Sequence, residues 1–272
     1  MLTEKSFDTG EVVINFAESS NSHPPLVMLH GVTLNWRTMG ELIPTLEQNW
    51  HIYACDFRGH GKSGRATSGY RVVDCALDVV ALIERLVCRE TVVLGFSWGA
   101  DVAIRVAARL PMLTRALVAL EPGLMLRDTR ISSTWLDDAI RQIYDISKSS
   151  RTIEEMIAII KLRMPGIDEA GARFEANRIS SLDPAVLIYL LSEPPFEDSD
   201  LEEVLPLVSC PTLLVYGETD LGGLVRESDA TRFKARVPNA KMVQIKGAGH
   251  GVILEPFRTL TLEHVTTFLE TV

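Results

Sequence analysis

The sequence predicts an α/β fold: a mainly parallel, eight-stranded sheet with helices on both faces. Short β-branched runs alternate with longer helical patterns from one end of the chain to the other, and polar residues able to do chemistry recur directly after those runs. A third observation marks the one interruption. Between about Gly123 and Pro206 the strand patterns stop and only helical ones continue.

The chain opens on a hairpin, with Asp8, Thr9, Gly10 and Glu11 forming the turn between two strands in "SFDTGEVVINFAE". "PLVMLHG" reads as a buried strand, "MGELIPTLEQN" as a helix, and "HIYACDFRGHG" as a strand entering a glycine-rich loop. "VVDCALDVVALIERLV" is amphipathic at helical spacing. Next come the strand "TVVLGFS", a helix from Ala100 to Leu110 stopped by Pro111, and the strand "RALVALEPG". Near the end "PTLLVYG", "ESDATRFKARV", "AKMVQIKG" and "PFRTLTLEHVTTFLETV" repeat the strand-helix alternation twice more.

The strandless stretch carries helix start signals. Thr152 with Glu155 makes a capping box, and Asp183 before Pro184 is an N-cap followed by proline at the first helical position. It is read as a helical cap, residues 123–206, inserted after the sixth strand into a core domain of residues 1–122 and 207–272. No strand pattern supports a core of its own.

Bulk properties bound the partner. The chain has 272 residues, 46% of them hydrophobic, enough for one large domain with an insertion. Its formal charge of −9, with no Lys/Arg-rich block, disfavours nucleic acid. No apolar run approaches the roughly 18 residues that span a bilayer, and the first residues contain no apolar signal region. The expectation is a cytoplasmic protein with a small-molecule partner and no membrane association. Cys55, Cys75, Cys88 and Cys210 lie far apart with no C-x-x-C pair, which fits reduced, buried thiols.

In open α/β sheets ligands bind beyond the carboxyl ends of the strands. The residues there are His30, Gly31 and Val32 after the third strand, Asp56 and Arg58 after the fourth, and Ser97 after the fifth. Glu121 follows the sixth, Asp220 the seventh and His250 the eighth. Gly95-Phe96-Ser97-Trp98-Gly99 matches G-x-S-x-G between a strand and a helix, a strained turn that exposes a serine hydroxyl above the sheet. Such a hydroxyl needs a base within reach and a third group to orient the base.

His250, in "KGAGHG", is the candidate base, its small neighbours letting the imidazole reach over the sheet edge. His30 and His60 lie in loops where a hydrogen-bonding role suffices. Asp220 in "VYGETD" is the favoured orienting acid, in the chain order Ser, Asp, His; Glu121, ending a strand at the same edge, is the alternative, and Glu218 comes third. The backbone N–H groups of Trp98 and Val32 are placed to form an oxyanion hole. No metal-ligand spacing appears. Gly61-Lys62-Ser63 mimics the tail of a phosphate loop, but the first glycine of that motif falls on Asp56.

With these residues in place the chain resembles the α/β-hydrolase superfamily with a helical cap. "MLHG", "DFRGHGKSG", "GFSWGA", "YGETD" and "GAGHG" carry the resemblance in order along essentially the whole sequence. It implies a cofactor-free serine hydrolase of a small carboxylic ester or lactone, acting through an acyl-enzyme. Serine at 97 disfavours dehalogenases and epoxide hydrolases of this fold, which use aspartate. Carbon–carbon bond hydrolases, haloperoxidase-like enzymes and a ligand receptor that has kept the fold stay open as alternatives. Trp135, Tyr144, Met156, Met164, Phe174, Tyr189 and Phe196 are candidates to roof the pocket, and Arg163, Arg173 and Arg178 to meet an anionic substrate.

Overall fold

The computed structural model describes residues 2–67, 69–127, 129, 131–150, 152–192 and 201–272. Its strands are β1 (Thr3–Asp8), β2 (Val13–Glu18), β3 (Pro25–Leu29), β4 (His51–Cys55), β5 (Thr91–Phe96), β6 (Thr114–Leu120), β7 (Thr212–Tyr216) and β8 (Ala240–Gln244). They form one sheet in the order β1-β2-β4-β3-β5-β6-β7-β8, parallel from β4 to β8 and antiparallel through the opening hairpin. The hairpin turn closes where expected, with the Gly10 amide donating to Asp8 Oδ1 at 2.8 Å.

Alternation along the strands builds two cores. Val27, Leu29, Val93, Leu117 and Leu214 face helices α2 (Val72–Leu82), α3 (Trp98–Arg109) and α9 (Glu227–Arg236). Leu26, Met28, Val92, Leu94, Val118 and Leu213 face the short α1 (Ile43–Leu46) and α10 (Arg258–Leu269). Both faces are covered, which is why these strands read as continuous apolar runs. The single helix expected over "MGELIPTLEQN" is instead a 3-10 stretch, Trp36–Leu42, followed by α1. Pro44 has no amide to donate, so a continuous α-helical ladder cannot run through it.

Between β6 and β7 lie α4 (Trp135–Ser149), α5 (Ile153–Arg163), α6 (Glu169–Ser180), α7 (Pro184–Leu191) and α8 (Leu201–Val204), and no strand among the described residues. Both predicted start signals are used. Thr152 and Glu155 exchange hydrogen bonds of 3.2 Å, and the Asp183 carboxylate accepts the Ala185 amide at 2.9 Å. Contrary to expectation the segment does bury a small cluster of its own, from Ile146, Met156, Ile157, Ile160, Ala172, Ala176 and Ile179. Helical spacing on α4, α5 and α6 suffices for that without strands.

Hydrogen bonds tie the segment to the body, among them those at Asp183 and Trp135. The Asp183 amide donates to Gly59 O at 2.7 Å, Tyr70 Oη donates to Asp183 Oδ2 at 2.6 Å, and Trp135 Nε1 donates to Gly222 O at 2.9 Å. Cys55, Cys75 and Cys210 are buried free thiols, whereas Cys88, in a left-handed turn after α2, is exposed. Burial pushes the Cys75 thiol up to about 12 and the Cys210 thiol up to about 11. No helix among the described residues is long and apolar enough to cross a membrane.

Candidate active site

Ser97 sits between the end of β5 and the first residue of α3 with φ 55° and ψ −125°, a conformation a non-glycine residue adopts only under constraint. The glycines on either side permit it. A Cβ on Gly95 would lie 2.0 Å from Gly99 O, and one on Gly99 would lie 2.2 Å from Leu29 O, so strand, turn and helix approach each other as bare backbone. The Ser97 amide is anchored on Leu120 O of β6 at 2.8 Å. The side chain is left to face the space beyond the sheet.

His250, in the loop after β8, reaches it: Nε2 lies 3.0 Å from Ser97 Oγ. Its other nitrogen, Nδ1, lies 2.9 Å from Glu121 Oε2. A carboxylate has no proton to give, so Nδ1–H is the donor and the Nε2 lone pair accepts the serine hydroxyl. The ring is held between Phe96 and Trp135, with centroid separations of 5.0 and 5.5 Å.

Asp220, the favoured acid, is not on the histidine. It is exposed, in a 3-10 turn over Thr219–Leu221, whereas Glu121 is fully buried directly at the end of β6. Two further donors converge on Glu121: the Gly217 amide on Oε1 and the Leu224 amide on Oε2, each at 2.9 Å. The loop that carries Asp220 thus contributes its backbone to the site, wrapping a carboxylate supplied by the neighbouring strand. Glu121 is also left-handed, at φ 51°, with its amide on Val215 O at 2.8 Å.

The loop after β3 is organised by two histidines that do not reach the serine. Phe57 N donates to His30 Nε2 at 3.1 Å, leaving Nδ1–H to donate to Gly31 O at 2.7 Å. Thr33 N donates to His60 Nε2 at 3.3 Å, and His60 Nδ1–H donates to Arg58 O at 2.9 Å. Burial lowers His30 to about 4 and His60 to about 3, so both stay neutral and each keeps an acceptor nitrogen. Arg58 itself is buried and bound in two-armed fashion to Asp78, with both N···O distances 2.7 Å. The Asp56 carboxylate accepts from Asn15 Nδ2 and from the amides of Trp36 and Lys62. These residues, read from sequence as loop neighbours of the chemistry, brace it.

Val32 and Trp98 line one cavity with Ser97. Its other walls are Asp101, Gly123, Leu126, Ile131, Leu136, Leu190 and Leu224, and its volume is only about 10 Å³, the space of a single water. Of the aromatic and sulfur side chains expected to roof it, Trp135 lies over His250 and Tyr189 lies edge-on to Trp98 at 6.5 Å. Met156 is in the separate cluster of the helical segment, Met164 and Phe174 are exposed, and Phe196 lies outside the described residues. The apolar walls from Leu126, Ile131, Leu136 and Leu190 were not singled out by sequence; helical spacing marks them as buried without saying against what. Arg173 pairs with Glu154 and Glu169 on an exposed face, Arg163 donates to Gln142 O, and only Arg178 is buried.

Known proteins are similar over the same length. The chain is 27% identical over 269 residues to 2-(acetamidomethylene)succinate hydrolase of Mesorhizobium japonicum, covering 97% of this chain and 94% of that one. It is 26% identical over 264 residues to pimeloyl-[acyl-carrier protein] methyl ester esterase of Nitrosomonas europaea, covering 92% and 96%. The crystal structure of an E-2-(acetamidomethylene)succinate hydrolase superposes with a TM-score of 0.75 at 24% identity, over 99% of this chain and 100% of that one. Residues 26–261 match the model of one family throughout, from the strand before the His30 loop to the helix after His250, and the chain belongs to that family, the alpha/beta hydrolases.

Proposed function

We propose that the protein is a serine hydrolase of small, uncharged carboxylic esters or lactones, working through Ser97, His250 and Glu121. The observation that carries this reading is the unbroken relay of contacts, 3.0 Å from Ser97 Oγ to His250 Nε2 and 2.9 Å from Nδ1 to Glu121. His250 takes the serine proton as Oγ attacks the carbonyl carbon. Glu121 keeps Nδ1 protonated, and with it the correct tautomer, and stabilises the imidazolium that forms.

The oxyanion falls to the amides of Val32 and Trp98. Trp98 opens α3, so its N–H belongs to the first turn, which has no acceptor within the helix. Gly31 O accepts from Leu34 N at 3.1 Å and from His30, and because N–H and C=O point oppositely across a trans peptide, the Val32 N–H is turned out of that loop. His250 then returns its proton to the leaving oxygen, and water attacks the acyl-enzyme with His250 again as base.

The cavity walls support an uncharged acyl group. Apart from Ser97, Trp98 and Asp101, the described lining residues are aliphatic or glycine. Residues 123–206 act in this reading as a cap whose inner wall sizes the acyl group, and the contact of Trp135 with both His250 and Gly222 O closes it.

The test is hydrolysis of p-nitrophenyl esters of increasing acyl length, with a set of lactones, by the wild type and by Ser97→Ala. Ester or lactone turnover that disappears in the variant supports the reading. A folded wild type that turns over none of them, or an active Ser97→Ala, refutes it.

A further inference from the structure

The cap residue Arg178 reaches into the body at the loop that carries the Val32 amide. Arg178 lies near the end of α6 with 6% of its surface exposed, and its Nη1 donates to Thr33 O. Nε and Nη2 bind Glu175 Oε2 at 3.0 and 2.5 Å, so the guanidinium fork is held on one side by its own helix and presents its remaining arm to the loop.

Thr33 is an improbable residue for the conformation it holds. Its φ is 63°, in the left-handed region, where a β-branched side chain is strained. Its amide is spanned to His60 Nε2 at 3.3 Å, a long hydrogen bond, so the amide side alone is a weak restraint. The carbonyl side is where a charged donor acts. One residue earlier is the peptide whose N–H, on the reading above, faces the oxyanion.

We propose that Arg178 is a positioning residue for the oxyanion loop: by holding the Thr33 carbonyl it keeps Thr33 left-handed and the Val32 amide aimed, and it makes that aim depend on the docked cap. The proposal rests on the hydrolase reading. It assigns Arg178 no contact with substrate, in contrast to the expectation that this arginine meets an anion. Its fork is already occupied by Glu175 and Thr33 O. Without the guanidinium, Thr33 relaxes toward negative φ and the neighbouring peptide turns with it. A shift of about 1 Å at an oxyanion donor is worth up to about 100-fold in rate.

The test compares Arg178→Met and Arg178→Lys, each in the wild-type and in the Thr33→Gly background, after urea unfolding has established which are folded. Two quantities are read: kcat and KM for a p-nitrophenyl ester, and the affinity for an aryl trifluoromethyl ketone, whose carbonyl carbon bonds to Ser97 Oγ as the serine proton passes to His250 Nε2 and the C=O π pair moves onto the oxygen, which becomes the anion. The proposal expects Arg178→Met to lower kcat by about 10- to 100-fold, with KM within about twofold, and to weaken the ketone by a similar factor.

Arg178→Lys, which keeps a charged donor group but not the planar fork, falls between and stands in if the methionine variant does not fold. In the Thr33→Gly background the same substitutions lose less, because glycine adopts positive φ without help. Equal losses in both backgrounds, a rise in KM alone, or a fall in kcat with the ketone affinity intact would each overturn the proposal. Equal binding of the ketone by wild type and Ser97→Ala would instead overturn the hydrolase reading, and the proposal with it.

Discussion

Replacing Glu121 by glutamine separates the first two of the carboxylates that the sequence offered as partners of His250. Three N–H groups converge on Glu121: Gly217 on Oε1, and Leu224 and His250 on Oε2, all at 2.9 Å. A glutamine keeps one acceptor oxygen, and its NH2 must oppose a donor in either orientation. With the NH2 toward Gly217, the oxygen still accepts from Leu224 and from His250 Nδ1–H. The tautomer survives, one buried amide loses its partner at about 1–3 kcal/mol, and the imidazolium loses its counter-charge.

With the NH2 toward His250, two donors face it and the imidazole is driven into the wrong tautomer, a change worth about 10⁴ in kcat where an aspartate-to-asparagine change of this kind has been measured. The first orientation opposes one donor rather than two and should dominate. We expect kcat to fall by about 10² to 10³, equivalent to about 3–4 kcal/mol of transition-state stabilisation, with KM little changed. Asp220→Asn, on an exposed turn, should stay within about twofold of wild type. Steady-state hydrolysis of a short p-nitrophenyl ester, alongside urea unfolding of each variant, reads all of this. The reasoning is refuted if Asp220→Asn costs the rate and a folded Glu121→Gln does not.

Gly99→Ala should destabilise by about 3 kcal/mol or more in urea unfolding, since its Cβ would meet Leu29 O at 2.2 Å and His30 O at 2.5 Å, both backbone atoms; a loss below about 1 kcal/mol would show that the elbow can open. His30 and His60 are held neutral by burial, to about 4 and about 3, whereas the unfolded chain protonates them near 6.5, so unfolding takes up protons. Their contribution to stability therefore falls as pH drops from about 6.5 to 4, by up to about 1.4 kcal/mol per pH unit for each ring, and His30→Gln should flatten the pH dependence of the urea midpoint in that window. An unchanged slope would exclude His30 as a source. Trp135→Ala removes the indole over His250 and its bond to Gly222 O, and should raise kcat/KM for longer acyl chains relative to acetate; an identical chain-length profile would mean that the indole does not limit the pocket.

What was legible in the sequence is what local pattern encodes. Ser97 could be found because its geometry is written within five residues, strand before and helix after, and His250 because a single histidine sits among glycines past the last strand. The carboxylate partner of His250 is not encoded that way. Glu121 and Asp220 both follow strands at the same edge, and the deciding fact is that the backbone from Gly217 to Leu224 folds back on Glu121 with two amides. The available signal was position: Glu121 is the first residue past β6, whereas Asp220 lies several residues past β7, in a turn of its own. The segment between β6 and β7 was legible as helices but not as a wall. Size does not mark the wall: Met156 packs its helices together, whereas Leu126, Ile131, Leu136 and Leu190 meet the cavity. Helical periodicity gives the buried face of each helix; which neighbour it meets is set by packing angles that no local pattern contains.

Among the described residues four that are not glycine have positive φ, and three of them, Thr33, Ser97 and Glu121, meet at this site. Strain of about 1–3 kcal/mol at such a residue persists only where its surroundings over-determine it, and here the surroundings are the sheet. Leu29 pairs with Gly95, Phe96 with Leu120, and Leu120 with Val215, so the strands β3, β5, β6 and β7 end in one register. Each bent residue near the sheet is then held by the next strand over: the Ser97 amide on Leu120 O, the Glu121 amide on Val215 O. The distance between the hydroxyl and the carboxylate is thereby fixed by hydrogen bonds of the sheet rather than by either side chain, and His250 has only to arrive between them. Thr33 lies farther from the strand ends, on a loop braced by His30 and His60 from the body, and that is the position where a guanidinium from outside the sheet supplies the missing restraint.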